Sequence, residues 1–214
     1  MINKQQIADI LLDINAIKIN LQTPFKWSSG LLSPIYCDNR RILSFPKQRD
    51  IIKQQFAKII EKKYPSTEAI AAIATGSIAF GALVADTLKL PMVYVRTKNK
   101  EYRLKKQIEG YLPPNTKLIV IEDLISTGMN SSKAVEILKS NHLEPIGLIA
   151  IFTYMFPEAQ LQFDKKNISL ITLTDFETLL QRAYEKNFIN EQEKKLLQIW
   201  HKERDFNIIK QSLK

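Results

Sequence analysis

The fold of this 214-residue chain is decided around residues 118–132, which read Leu-Ile-Val-Ile-Glu-Asp-Leu-Ile-Ser-Thr-Gly-Met-Asn-Ser-Ser. The four leading apolar residues predict a buried strand that ends at the acid pair Glu122–Asp123. A hydroxyl-rich turn around Gly128 follows, and apolar residues at helical spacing then predict a helix over 133–141. The order is therefore strand, acid pair, turn and helix.

This order suits a ligand with a phosphate at one end and a diol at the other. A helix start offers free N–H groups and the positive end of the helix dipole to a phosphate. Gly128 allows close approach of the backbone, and nearby hydroxyls add donors (Ser126, Thr127, Ser131 and Ser132). The two carboxylates repel a phosphate but accept hydrogen bonds from sugar hydroxyls. The pattern indicates a ribose 5-phosphate site; the alternative is an ordinary strand-to-helix turn with a capping serine.

Composition is that of a globular protein, with 45% hydrophobic and 25% charged residues. No apolar run approaches the roughly 20 residues of a membrane span. Cys37 is the single cysteine, so a reducing cytoplasm is expected. The net charge of +9 first suggests nucleic acid, but the lysines are spread along the chain. We interpret the charge as compositional drift plus a substrate that carries several phosphates.

Strands alternate with helices from residue 69 to residue 173, which predicts a parallel sheet covered on both faces. The predicted strands are 16–21, 69–74, 92–95, 118–121, 146–152 and 169–173. The predicted helices are 7–14, 45–64, one after the 75–77 turn that holds Leu83, Val84 and Leu88, 133–141, a short one from Pro157, 175–184 and 191–200. Ligand loops gather at the carboxyl ends of such strands. The Thr75-Gly76-Ser77 turn is either structural or a second anion site, and the polar segment 96–110 is either a solvated loop or a lid.

The segment 24–38 has two prolines, a glycine and three serines between aromatic residues, which predicts a loop. Such a loop could stack a flat ring between Phe25 and Tyr36 and bind its edge through backbone groups. The alternative, which the residues alone favour, is a hairpin that packs Phe25, Trp27 and Tyr36 into the core.

The acid pair and its turn resemble the phosphoribosyl-diphosphate (PRPP) motif of the type I phosphoribosyltransferases, here Val120-Ile121-Glu122-Asp123-Leu124-Ile125-Ser126-Thr127-Gly128. Further stretches resemble the orotate phosphoribosyltransferases: residues 25–30, 33–40, 74–76, 81–86, 94–96, 108–110 and 150–154. The resemblance implies an α/β fold, with a parallel sheet flanked by helices, in a single domain over 1–214. A small N-terminal hood, about 1–44, would cover the site.

The resemblance also implies an enzyme, a glycosyltransferase that converts PRPP and orotate into orotidine 5′-monophosphate and pyrophosphate. Magnesium would arrive on PRPP with no protein ligand, and the protein would be a homodimer whose 96–110 loop serves the neighbouring subunit. Carried over residue by residue, the resemblance assigns Glu122 and Asp123 to the ribose. It assigns the rest of the motif to the 5-phosphate region: Leu124, Ile125, Ser126, Thr127, Gly128, Met129 and Asn130. The pyrophosphate would contact Thr75, Gly76, Arg96, Lys100 and Tyr102, and orotate would contact Ser126, Phe25 and Tyr36. Lys100, Glu122 and Asp123 would be catalytic.

The sequence departs from the family pattern at three places. Tyr102-Arg103 stands where the loop usually has His-Gly, Ser28 stands where the hood often has lysine, and no arginine for the orotate carboxylate lies near Thr153-Tyr154. Two alternatives remain. The net charge of +9 favours a PRPP-sensing RNA-binding regulator on the same fold, although the hood counts against it, and Tyr102-Arg103 motivates a PRPP binder with weakened catalysis. His142 and His201 match no catalytic position and are expected at the surface.

Overall fold

The structure is a computed structural model that describes residues 3–27, 29–97 and 106–212. Its centre is a six-stranded sheet in the order β10-β9-β8-β5-β6-β7. The strands are β5 (Ala69–Ile73), β6 (Met92–Val95), β7 (Ile108–Glu109), β8 (Lys117–Ile125), β9 (Glu144–Thr153) and β10 (Leu170–Asp175). All neighbours pair in parallel except β7, which is antiparallel to β6. The predicted parallel sheet is confirmed.

Helices cover both faces of this sheet. They are α1 (Lys4–Asp13), α2 (Pro46–Lys63), α3 (Ile78–Leu88), α4 (Met129–Ser140), α5 (Pro157–Lys165), α6 (Phe176–Glu185), α7 (Glu191–Glu203) and α8 (Phe206–Ser212). Side chains of the central strand alternate between two cores: Ile119 and Ile121 pack with residues of α1, α2, α3 and α6, whereas Leu118 and Val120 pack with residues of α4 and α5. This alternation follows from the two-residue period of a strand. None of the described helices is both long and apolar enough to cross a membrane.

The N-terminal segment adds two small antiparallel pairs beside the main sheet. β1 (Ile17–Ile19) pairs with β4 (Ile35–Cys37), and β2 (Phe25–Lys26) pairs with β3 (Leu32–Ser33). A 3-10 helix, Asn39–Ser44, then leads to α2. The division into one domain with a hood over about 1–44 stays a prediction.

Three sequence expectations are wrong in detail. The central strand does not end at the acid pair, because β8 continues to Ile125 and pairs with β9 through Leu124–Phe152 and Ile125–Thr153. Helix α4 begins at Met129, four residues before the prediction, and α8 was not predicted. His201 is half-buried rather than a surface residue, since its ring stacks on Phe176 with centroids 4.2 Å apart.

Candidate active site

Two turns that precede helices meet the acid pair at one edge of the sheet. The Thr75–Ser77 turn lies between β5 and α3, and the 126–128 turn lies between β8 and α4. β5 and β8 are neighbouring parallel strands, so their carboxyl ends open on the same edge. The structure therefore brings together the two turns that the sequence singled out as possible anion sites.

Asp123 is the half-exposed member of the acid pair, and its carboxyl lies against Gly76. A Cβ atom built on Gly76 would lie 2.4 Å from Asp123 Oδ2 and 2.7 Å from its Cγ. The close approach needs a glycine, because a Cβ at that distance would push the carboxyl away. Asp123 is thus held directly beside the 75–77 turn.

Glu122 points into the protein and is 6% exposed. Its Oε1 lies 2.9 Å from Ser77 Oγ and accepts a hydrogen bond from the N–H of Asp123 at 3.1 Å, while Oε2 lies 3.2 Å from Ser131 Oγ. Burial raises the pKa of the Glu122 carboxyl well above its ordinary value, and the neighbouring charge of Asp123 raises it further. The two acids therefore have different environments, and the one better placed for a sugar hydroxyl is Asp123.

The 126–128 turn joins the end of β8 to the start of α4. Gly128 caps α4 in the left-handed region, with φ +75°, and packs closely on α5, where a Cβ would lie 3.0 Å from Phe163 Cζ. Ser126 and Thr127 are half-exposed, and the next two residues, Met129 and Asn130, are exposed. The first N–H groups of α4 have no partner within the helix and remain available to a ligand.

Four residues of the predicted motif pack at least partly against the protein interior. Leu124 is half-buried against one core and Ile125 is buried in the other, and their contact with PRPP stays a prediction. Ser131 and Ser132 are 2% and 1% exposed. α4 begins at Met129 and places both on its buried face, and the expectation that their hydroxyls reach a phosphate stays a prediction.

The hood contains an aromatic pair and an aromatic anchor. Phe25 and Tyr36 are half-buried, and their ring centroids lie 5.6 Å apart at 35°. Trp27 instead packs on Tyr154 at 4.7 Å, and its Nε1 donates to the carbonyl of Ile35 at 3.3 Å. Trp27 therefore packs with the core, as the hairpin interpretation predicts, whereas Phe25 and Tyr36 keep exposed surface; stacking of a flat ring on them stays a prediction.

Comparison with known proteins identifies the family. A family model described as "Phosphoribosyl transferase domain" matches residues 39–183. The chain is also 45% identical, over 196 residues, to the orotate phosphoribosyltransferase of Porphyromonas gingivalis, an alignment that covers 92% of this chain and 93% of that protein. The chain belongs to the orotate phosphoribosyltransferase family.

Solved structures agree on the fold of this phosphoribosyltransferase family member. The orotate phosphoribosyltransferase of Aeropyrum pernix superposes with a TM-score of 0.75 at 23% identity, covering 86% of this chain and 99% of that one. The UMP synthase of Leishmania donovani gives a TM-score of 0.79 at 22% identity, covering 94% of this chain and 42% of that one. This chain therefore spans less than half of the Leishmania protein. At these identities the likeness concerns the fold.

The predicted loop residues of this family member are only partly described. Lys100, Tyr102 and Arg103 lie outside the described residues, and so does Ser28 of the hood. Arg96, at the base of the loop, is half-buried; its guanidinium lies 5.3 Å from the centroid of the Tyr94 ring and its Nε lies 3.5 Å from Glu109 Oε1. Its pyrophosphate contact stays a prediction.

No protein metal centre is visible in residues 3–27, 29–97 and 106–212, where no group of three or more His, Cys, Asp and Glu side chains could hold a metal ion. The prediction that magnesium arrives on PRPP is not tested by this finding.

Two residues of the site were missed by sequence reasoning. Ser77 was treated only as part of a turn, and its hydroxyl contacts Glu122. Asn39 is 1% exposed; its Nδ2 donates to the carbonyl oxygen of Asp123 at 2.6 Å, and its Oδ1 accepts from Cys37 Sγ at 3.3 Å. The only signal for Asn39 was its place in the hood stretch that resembles the family, since its partner lies 84 residues away.

Proposed function

We propose that this protein transfers the 5-phosphoribosyl group of PRPP to orotate, giving orotidine 5′-monophosphate and pyrophosphate in pyrimidine biosynthesis. The observation that carries the proposal is the 45% identity to a curated orotate phosphoribosyltransferase over nearly the whole of both chains. The site supports the same conclusion, because a half-exposed carboxylate stands beside two turns that open helices, with an aromatic pair in the adjacent hood.

PRPP would lie along the sheet edge with its ribose between the two turns. The 5-phosphate would rest on residues 126–130, where Gly128 and the N-terminus of α4 offer backbone N–H groups. Asp123 would accept hydrogen bonds from the ribose hydroxyls, since its carboxyl is half-exposed and held against Gly76. The diphosphate would then face Thr75 and Gly76 on the neighbouring strand.

Catalysis would rest on charge neutralisation at the leaving group. Departure of pyrophosphate leaves positive charge on the ribose ring, so cations must stabilise the leaving group and water must be excluded. Arg96, Lys100 and Tyr102 are proposed for this task, with Lys100 supplying the main protein charge. Magnesium, which enters bound to the PRPP diphosphate, would neutralise further charge. No nucleophilic side chain is required.

Orotate would bind between the hood and the 126–128 turn. Phe25 and Tyr36 present aromatic surface on which a planar pyrimidine could stack. Ser126, half-exposed at the end of β8, would donate to the edge of the ring. Asn39 joins the two regions, because it is attached to the hood and bonds the backbone of Asp123.

The protein is further proposed to act as a cytoplasmic homodimer in which the 96–110 loop completes the neighbouring subunit's site. The support for sharing is the likeness of this loop to that of the family. The support for a reducing compartment is the single, buried Cys37.

The decisive experiment follows the absorbance of orotate in the presence of PRPP and Mg²⁺. Orotate should be consumed only when both are present, and Asp123→Asn should slow the reaction. PRPP binding by calorimetry without turnover would instead support the weakened binder, which Tyr102-Arg103 motivates. RNA binding that responds to PRPP, without turnover, would support the regulator.

A further inference from the structure

Glu122 occupies a position between the two anion-binding turns that its ribose role does not explain. Ser77 immediately precedes α3, and Ser131 lies in the first turn of α4. Their hydroxyls lie 2.9 Å and 3.2 Å from the two oxygens of the Glu122 carboxyl. All three side chains are buried, with 6% exposure for Glu122, 0% for Ser77 and 2% for Ser131. The carboxyl thus spans the starts of two helices without facing the ligand.

The single hydrogen of the Ser77 hydroxyl has two acceptors within reach. Ser77 Oγ lies 2.6 Å from the carbonyl oxygen of Ile73 and 2.9 Å from Glu122 Oε1. A serine hydroxyl has one hydrogen, and a backbone carbonyl can only accept. If the hydroxyl donates to Ile73, the second contact needs a hydrogen from Glu122. Burial and the neighbouring charge of Asp123 raise the pKa of the Glu122 carboxyl well above its ordinary value, which favours a proton on this carboxyl.

We propose that Glu122 is a positioning residue, held as the neutral acid, that ties the Thr75–Ser77 turn to the first turn of α4 and so fixes the spacing of the two anion sites. The proposal rests on the proposed function and deepens it. PRPP carries a phosphate at one end and a diphosphate at the other, so one substrate molecule must fit both turns at once. A fixed spacing lets both groups bind without reorganising the protein.

The neutral state has a second consequence for the same substrate. Asp123 is the charged group that faces the Glu122 carboxyl from the same strand, while Ser77 and Ser131 approach it from the adjoining helix starts. If both acids were ionised, two negative charges would stand beside a polyphosphate. With Glu122 neutral, the pair carries at most one negative charge instead of two, and the repulsion of PRPP is reduced.

The test compares Glu122→Gln with Glu122→Ala, using steady-state kinetics and calorimetric PRPP binding. Glutamine is neutral and of nearly the same shape. Its carbonyl can accept from the N–H of Asp123 and from the Ser77 hydroxyl, which then turns its hydrogen away from Ile73, and its amide can donate to Ser131. We expect Gln to raise the KM for PRPP by less than about fivefold and Ala to raise it by about thirtyfold or more, since a buried hydrogen-bonding group then loses its partner. The KM for orotate should change less than the KM for PRPP.

A double-variant cycle tests the connection between the turns directly. Ser77→Ala and Ser131→Ala should each weaken PRPP binding, but together they should cost less than the product of the two single effects, because both act through Glu122. Ser140→Ala is the matched control: its hydroxyl also bonds a backbone carbonyl, at 2.9 Å from Ile137, at the far end of α4, and its removal should leave PRPP binding unchanged.

Two results would overturn the inference. One is a Glu122→Gln variant that loses PRPP binding as severely as Glu122→Ala and Asp123→Asn, which would make Glu122 a charged ribose ligand. The other is strictly multiplicative effects of the two serine changes. If Glu122→Ala does not fold, the Glu122→Gln variant and the double-variant cycle of Ser77 and Ser131 still test the inference. Failure of the proposed function is distinguishable, because the wild-type protein would then bind PRPP without consuming orotate.

Discussion

Gly76→Ala should displace the carboxyl of Asp123 without changing that residue itself. The new Cβ would lie 2.4 Å from Asp123 Oδ2, whereas ordinary contacts begin near 3.4 Å, so the carboxyl must move by about 1.0 Å. A displacement of about 1 Å in a positioned group can cost about a hundredfold in rate. Loss of charge-assisted hydrogen bonds worth about 1.5–3 kcal/mol would lower the rate by a similar factor. We therefore expect kcat/KM for PRPP to fall by about 10- to 100-fold.

The stability of this variant should change little. Asp123 is half-exposed, so its carboxyl can shift toward solvent instead of straining the core. We expect the free energy of unfolding in urea to change by less than about 1 kcal/mol, the usual scale for substitutions outside the core. A loss of activity with folding intact would place the effect at the site.

Gly81→Ala is the matched control. A Cβ there would lie 2.6 Å from Ala72 Cβ and 3.0 Å from Met92 Cε, where α3 packs on the sheet. Overpacking of a core typically costs about 1–3 kcal/mol. This variant should therefore lose stability while its PRPP affinity stays near that of the wild type, which is the opposite pattern to Gly76→Ala.

A second comparison separates an effect through Asp123 from an effect on the turn itself. If Gly76→Ala acts by displacing the carboxyl, adding it to Asp123→Asn should weaken PRPP binding by less than about threefold more, because the lost contact is already absent. Calorimetry with PRPP measures all four proteins. A tenfold further loss in the double variant would refute the reasoning, and so would a Gly76→Ala variant with wild-type kcat/KM.

Three further predictions concern the acids and the loop. Asp123→Asn should weaken PRPP binding by about 10- to 150-fold, from a charge-assisted hydrogen bond of about 1.5–3 kcal/mol, and unchanged affinity in calorimetry would contradict its ribose role. Mixing Asp123→Asn chains with Lys100→Ala chains should restore part of the activity if the loop is shared, and no recovery after confirmed subunit exchange would mean that each loop serves its own subunit. Tyr102→Phe should lower kcat/KM by less than about tenfold and Lys100→Ala by about a hundredfold, because a tyrosine offers one neutral hydrogen bond; the reverse order would give Tyr102 the catalytic role.

A fourth prediction concerns the dependence of folding stability on pH. Because the folded pKa of Glu122 is raised, the folded state keeps a proton that the unfolded chain releases above about pH 4.3. The stabilisation is therefore fully present below about pH 4.3 and is lost as pH rises toward the folded pKa, by at most about 1.4 kcal/mol per pH unit. Glu122→Gln removes this slope. Urea unfolding of both proteins from pH 4 to 9 measures it, and parallel curves would contradict the raised pKa.

The alternation of strands and helices was visible in the sequence, because each element has its own hydrophobic period. The strand-rich and helix-rich segments from residue 69 onward predicted the parallel sheet, and the neighbouring β5 and β8 then place the 75–77 and 126–128 turns at one edge. The motif around the acid pair was equally local: its strand, acids, glycine and helix start lie within fifteen consecutive residues, so the order of residue types is enough to recognise it.

The end of β8 could not be predicted from local properties. Two acids followed by a hydroxyl-rich turn indicate the end of a strand, yet Leu124 and Ile125 continue the pairing with β9, whose own residues supply the hydrogen bonds. Helix α4 also begins four residues before the prediction, at Met129, and places Ser131 and Ser132 on its buried face. A strand's length depends on its neighbour in the sheet, and that neighbour is distant in sequence.

The separate roles of the two acids were decided only by the tertiary structure. In the sequence Glu122 and Asp123 are adjacent and chemically alike, and both were assigned to the ribose. Ser77, 45 residues from Glu122, and Asn39, 84 residues from Asp123, give them different surroundings. Charge state follows from burial and hydrogen-bond partners, and these are set by which segments the fold brings together. The sequence alone therefore determined that an acid pair stands before a glycine-containing turn that opens a helix, and the packing of distant segments determined that one acid is buried and the other half-exposed.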